Sequence, residues 1–168
     1  MLPRYYEFYN PVKVLSGDHA LENLPYEMAH LNAKRPILLT NQQLVEVGLV
    51  RILEEAIQGS DLTIAARFTE IPQDSSVHVV NAAGRLFREA GCDSIVALGG
   101  GSVIDTAKGL RVLIGQETDD IMQYMGADIL QPVRRVPFAV IPTTAGTGSE
   151  ATLVAVIAHP ERQVKMEF

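Results

Sequence analysis

The triplet Gly99-Gly100-Gly101 most restricts what this chain can fold into, because of what lies on either side of it. The apolar run Ile95-Val-Ala-Leu98, within Ser94 to Leu98, reads as a buried strand. Val103 to Ile114 reads as a helix with Ile104, Ala107, Leu110 and Ile114 on one face. Three glycines between them give a backbone that turns sharply and can be approached closely. A helix entered from such a turn leaves its first N–H groups and positive dipole end facing the glycines, where a phosphate or pyrophosphate fits. The same residues admit a second reading. Ser102 can be an N-cap, and Ser102-x-x-Asp105 a capping box that closes the helix end.

The rest of the chain supplies the frame for that turn. Tyr5 to Leu15 carries aromatic and β-branched residues and predicts one or two short strands, interrupted at Asn10-Pro11. Ala20 to Leu31 predicts a helix with Pro25 in its first turn. Pro36 to Thr40 predicts a buried parallel strand. Asn41 to Gly59 has helical spacing broken at Gly48, and Leu62 to Phe68 returns to strand composition. Glu70 to Ser76 is a loop whose serines can cap the helix Val77 to Ala90, which Gly91 ends. Glu117 to Pro132 is irregular, with one turn around Ile121 to Met125. Val136 to Ile141 and Leu153 to Ala158 are further strands, separated by Pro142-Thr-Thr-Ala-Gly-Thr-Gly-Ser-Glu150.

Strands alternating with helices predict an α/β fold, a mostly parallel sheet with helices on both faces. In such sheets ligands lie beyond the carboxyl ends of the strands. Gly99 to Ser102 and Pro142 to Glu150 both follow buried strands and so can share one crevice. With 168 residues the chain suits one domain. Its net charge of −6 argues against a nucleic-acid partner or an anionic membrane surface. Cys92, the single cysteine, leaves no intrachain disulfide and no cysteine-based zinc site. His19, His30, His78 and His159 are scattered without ligand-like spacing, so no metal site is assigned. Without a signal-peptide layout or a membrane-length apolar run, a soluble, cytoplasmic protein is expected.

The pair Gly99-Gly-Gly-Ser-Val-Ile-Asp-Thr-Ala-Lys108 and Pro142-Thr-Thr-Ala-Gly-Thr-Gly-Ser-Glu150, in that order with a strand before each, resembles the iron-containing alcohol dehydrogenase family. The resemblance implies a Rossmann-like, dehydroquinate synthase-like N-terminal domain. Residues 1–168 are then the dinucleotide-binding domain, and the family's helical metal-binding C-terminal domain is absent from the sequence. It implies that Gly99, Gly100, Gly101 and Ser102 cradle the pyrophosphate of NAD or NADP. Asp105 resembles the family's acid near the nicotinamide side, and Thr143, Thr144 and Thr147 resemble the loop that lines the cofactor. Lys165 aligns with a lysine that points at the cofactor and substrate pocket, the one catalytic assignment. A threonine-rich loop suits such a role, offering hydroxyl and backbone donors at small steric cost.

Two departures stand out. Asn41 occupies a position where relatives preferring NAD carry an aspartate on the adenosine ribose. A neutral amide makes NADP more tolerable there, or is only a helix N-cap. Glu70 to Ser76 differs from the family's commoner Pro-Asn-Pro version, which leaves the role of Gln73 and Asp74 open. The implied activity is hydride transfer between an alcohol or aldehyde and nicotinamide. A divalent metal, iron or zinc, is expected only in the full-length architecture, and this chain alone is expected to be inactive. Self-association, or the missing C-terminal domain, is expected to cover the sheet's edge. The alternatives are an NAD(P)-binding module without catalysis, or a relative of glycerol-phosphate dehydrogenase or dehydroquinate synthase.

Overall fold

The structure is a computed structural model that describes residues 11–124, 126, 130–152 and 154–167. Five helices, α1 (Leu24–His30), α2 (Gln42–Glu46), α3 (Leu49–Ile57), α4 (Val77–Glu89) and α5 (Gly101–Gly115), alternate with strands among the described residues. Strands β1 (Pro36–Leu39), β2 (Ala66–Phe68), β3 (Ser94–Gly99) and β4 (Phe138–Pro142) form a parallel sheet in the order β2-β1-β3-β4. Every pairing in it is parallel, with Ile37 beside Ile95 and Leu98 beside Ile141.

The two-residue period of the strands sorts the core into two layers. Ile37, Leu39, Ile95 and Ala97 pack with Val80 and Phe87 of α4 and Leu110 and Leu113 of α5. Leu38, Val96 and Leu98 point the other way, onto Leu24 and Met28 of α1 and Val50 and Leu53 of α3. All of β1 and β3 is buried, so both strands are apolar on both faces, as a sheet covered by helices on both sides requires. Burial of each large aliphatic side chain in these central strands contributes about 1.5–3 kcal/mol.

Gly48, in the left-handed region at φ 84°, separates α2 from α3 as expected. Gly91 ends α4 in the same conformation, and Ser76 caps that helix by accepting the Val79 N–H. Three expectations need correction, and one strand was not expected at all. Residues 11–15 form no strand, and Val14 stays 74% exposed because no sheet edge reaches it; the remainder of that expected strand lies outside the described residues. Helix α5 begins at Gly101, with Gly100 as its N-cap, so Ser102 lies inside the helix and forms no capping box with Asp105. The last expected strand starts at Val156, and Leu153 lies outside the described residues. That strand, β5 (Val156–His159), pairs antiparallel with a strand the sequence reading missed, β6 (Val164–Glu167).

Strand order fixes where a ligand can sit. From β1 the chain runs to β2 on one side and later to β3 on the other, so the crevice opens beyond the carboxyl ends of β1 and β3. Thr40 and Asn41 follow the first of these strands, and the glycine triplet ends the second.

Candidate functional site

The two motif loops meet at the carboxyl ends of β3 and β4. The Thr143 N–H donates to Gly99 O at 3.1 Å, which fixes the start of the threonine-rich loop beside the glycines. A Cβ on Gly100 would lie 2.6 Å from Thr144 Oγ1, and one on Gly101 would lie 3.7 Å from Thr147 Cγ2. Glycine at 100 therefore permits an approach that any side chain would block. At Gly99 the contact is different: a Cβ there would lie 2.6 Å from Val103 Cβ, inside the fold. The N-terminus of the 15-residue helix α5 opens at this junction, with its first N–H groups beside the threonines.

The loop before α4 braces this junction from another side. Asp74, left-handed at φ 63°, donates its N–H to Ser102 Oγ at 3.1 Å, and its carboxylate receives Lys165 Nζ at 2.8 Å. Thr106 Oγ1 lies 2.7 Å from both Ser75 Oγ and Ser102 O. The Ala158 N–H donates to Ser75 O at 2.7 Å, tying hairpin β5–β6 to the same loop. Lys165 thus reaches the glycine turn through Asp74. Both side chains of that pair are more than half exposed, so it orients more than it stabilises.

Asp105 lies one turn into α5 and turns toward the chain beyond the threonines. Its carboxylate accepts the Ser149 hydroxyl at 2.6 Å and the Val156 N–H at 3.3 Å. One helical turn on, Lys108 donates to Ser149 Oγ at 3.3 Å, Thr152 Oγ1 at 2.9 Å and Val154 O at 2.8 Å. Its ammonium is 3.9 Å from Asp105 and its side chain only 13% exposed. Burial pushes the Lys108 pKa down, against the opposing pull of Asp105 and Glu150. Lys108 closes the glycine motif but carries no role from sequence alone; its i+3 spacing from Asp105 is the one local signal for it. Asp74 and Ser149 were equally missed, because their partners are distant in sequence.

At the other strand end, Asn41 is the N-cap of α2 and accepts the Leu44 N–H at 3.0 Å. Thr40 beside it is fully buried, and its Oγ1 has no hydrogen-bond partner among the described residues. A cleft of about 310 Å³ lies next to it, lined also by Val45, Val50, Arg51, Glu54, Arg67 and Thr69, with Arg67 ion-paired to Glu54.

The remaining reactive side chains lie elsewhere. Burial pushes the Cys92 thiol up to about 11, with Arg35 opposing, so it is inert at neutral pH. His78 and His159 both pair with Glu161, His19 pairs with Glu22, and His30 contacts its own helix through Tyr26 O. Among the described residues no group of three or more His, Cys, Asp or Glu could hold a metal ion. No helix among them is long and apolar enough to cross a membrane.

Comparison with known proteins gives this geometry a setting. A family model described as iron-containing alcohol dehydrogenase matches residues 11–168. The chain is 31% identical over 166 residues to choline dehydrogenase of Bacillus subtilis, covering 98% of this chain and 41% of that protein. It is 34% identical over 162 residues to NAD-dependent methanol dehydrogenase of Bacillus methanolicus, covering 95% and 41%. Among solved structures, sulfoacetaldehyde reductase of Bifidobacterium kashiwanohense in complex with NAD+ superposes with a TM-score of 0.87 at 26% identity, over 99% of this chain and 43% of that one. The chain thus spans about two fifths of the length of such relatives.

Proposed function

The chain belongs to the iron-containing alcohol dehydrogenase family, and from that premise we propose that it is the nucleotide-binding part of an NAD(P)-dependent oxidoreductase acting on a small alcohol or aldehyde. The observation that carries this reading is the junction of the glycine and threonine loops, where the backbone at Gly100 comes so close to Thr144 that a Cβ would fill the gap.

A nicotinamide dinucleotide fits these residues, and when bound it supplies the hydride acceptor or donor. Gly99, Gly100, Gly101 and Ser102 would hold the pyrophosphate at the N-terminus of α5, where unpaired N–H groups and the helix dipole favour an anion. Thr143, Thr144 and Thr147 would line the cofactor from the facing loop, and Asn41 would meet the adenosine ribose. Asp105 would act near the nicotinamide side by holding the chain around Ser149 in place. Lys165, tethered to Asp74, would present a positive charge at the reacting end. The described residues do not fit a divalent metal, iron or zinc.

Binding without turnover is the expected behaviour of this chain by itself. Titration with NADH and with NADPH, followed by cofactor fluorescence, should give saturable binding of at least one. Absence of binding by both overturns the reading. Alcohol-dependent reduction of NAD+ or NADP+ by the chain alone would overturn its assignment as a part without turnover of its own.

A further inference from the structure

We infer that Lys108 is a positioning residue that fixes the threonine-rich loop over the glycine turn, by clasping Ser149, Thr152 and Val154 to helix α5; the inference rests on the nucleotide-binding reading. The loop needs such a clasp. Residues 143–147 are all exposed, and Ser149 is the one buried residue between Thr143 and Thr152. Gly146 and Gly148, both left-handed, add backbone freedom rather than remove it. Apolar packing therefore cannot hold this stretch, and its order depends on hydrogen bonds at its two ends. The first end is the Thr143 N–H on Gly99 O. The second is the cluster around Ser149.

The chemistry of that second end is complete only with Lys108. An ammonium has three N–H donors, and here three acceptors receive them: two hydroxyls and a carbonyl. Ser149 gives its own proton to Asp105, so its oxygen is free to accept from Lys108. Asp105 at 3.9 Å offsets the charge inside a pocket that nearly excludes water from both side chains. A neutral side chain at 108 would leave the two hydroxyls and the Val154 carbonyl without this donor. Thr144 and Thr147 would then be ordered only when a dinucleotide arrives, and that ordering opposes binding. Lys108 itself is assigned no contact with the dinucleotide.

The test uses the full chain with Lys108→Met and Ser149→Ala, singly and combined, titrated with whichever of NADH and NADPH binds the unsubstituted chain more tightly. Lys108→Met should raise the dissociation constant about tenfold or more, because a preordered loop becomes one that binding must order. Amide hydrogen exchange should quicken in the loop from Thr147 to Val156 while the strands keep their protection. The double variant should bind no more weakly than the weaker single one, since both cut the same clasp. Unchanged affinity in Lys108→Met overturns the inference. So does an affinity loss accompanied by faster exchange throughout the sheet, which would mark a purely structural role. Should Lys108→Met fail to fold, Ser149→Ala and Thr152→Val cut the clasp from the loop side, and wild-type affinity in both overturns it. Failure of the unsubstituted chain to bind either cofactor refutes the nucleotide reading instead.

Discussion

Adding one methyl group at Gly99 and at Gly100, neighbours in sequence, should give opposite phenotypes. At Gly99 the new Cβ would lie 2.6 Å from Val103 Cβ and Cγ2 and 2.9 Å from its Cγ1. Carbon atoms rest about 3.5–4.0 Å apart, so Val103 would have to retreat by about 1 Å. It is 2% exposed and packed in the cluster formed by α4, α5 and the sheet, so nothing beside it yields easily. Overpacking of this kind costs about 1–3 kcal/mol. In a domain of this size that lowers the thermal midpoint by about 2–12 °C. At Gly100 the methyl group would meet Thr144 Oγ1 at 2.6 Å and Thr144 Cβ at 3.3 Å, on an exposed side chain whose hydroxyl can rotate away. Gly100 has φ −87° and ψ −166°, open to any residue, so its backbone is not strained by the change. Gly100→Ala should therefore leave stability within about 0.5 kcal/mol of wild type. Its cost should fall on nucleotide affinity, about tenfold or more, as the methyl group and the displaced threonine occupy the approach to the helix terminus. Calorimetry and cofactor fluorescence on the two variants separate the effects. An unshifted midpoint in Gly99→Ala, or wild-type affinity in Gly100→Ala, refutes the reasoning.

Three further outcomes follow from named contacts. Asn41→Asp keeps the cap on Leu44 and adds charge at the start of α2; it should shift the NADH-to-NADPH affinity ratio towards NADH by about 1–3 kcal/mol, and an unaltered ratio would leave residue 41 as a cap alone. Burial pushes the Asp93 carboxyl up, but hydrogen bonds from Ser94 Oγ and the Lys34 and Arg35 N–H groups outweigh it and hold its pKa below the ordinary value. The stabilisation is then present above the unfolded carboxylate pKa and lost as pH falls through the folded one, so the deficit of Asp93→Asn, about 1.5–3 kcal/mol at pH 7, should shrink below about pH 4. A deficit that is flat across that range in chemical denaturation contradicts the assignment. Thr40→Val removes a buried hydroxyl that has no partner among the described residues and should raise stability by about 1 kcal/mol; a lower midpoint would show that the hydroxyl is satisfied.

The sheet was legible because its signals are local. Ile95 to Leu98 and Pro36 to Leu39 are apolar at every position, a pattern that belongs to strands covered on both faces. Gly48 and Gly91 announced their breaks because left-handed backbone favours glycine. Hairpin β5–β6 was half missed because Val164-Lys-Met-Glu167 alternates with only Met166 buried, a weak signal in four residues. Ser102 misled for a physical reason. A serine before a helical run is a good N-cap, but Gly100 took that position and left the Ser102 hydroxyl for the Asp74 N–H, 28 residues away. Sequence spacing can pair groups within a helical turn, and it could not pair Lys165 with Asp74, or Asp105 with Ser149, across the fold.

Those distant pairs show how a crevice of glycines and threonines acquires a definite shape. Gly109, inside α5, lets β5 pack close: a Cβ there would lie 2.7 Å from Ile157 Cδ1 and 3.1 Å from Val80 Cγ2. Ile157 is fully buried in that contact, and with it the hairpin is seated on α4 and α5. Seating β5 places the Ala158 N–H on Ser75 O and, through the turn at Pro160–Arg162, brings Lys165 to Asp74. Asp74 in turn holds Ser102 at the glycine turn. The position of the lysine proposed for the reacting end is thus set by a close helix–strand contact elsewhere along α5, and only its orientation is left to an exposed ion pair. Rigid apolar packing carries the precision, and the polar contacts pass it on to the surface proposed to receive the dinucleotide.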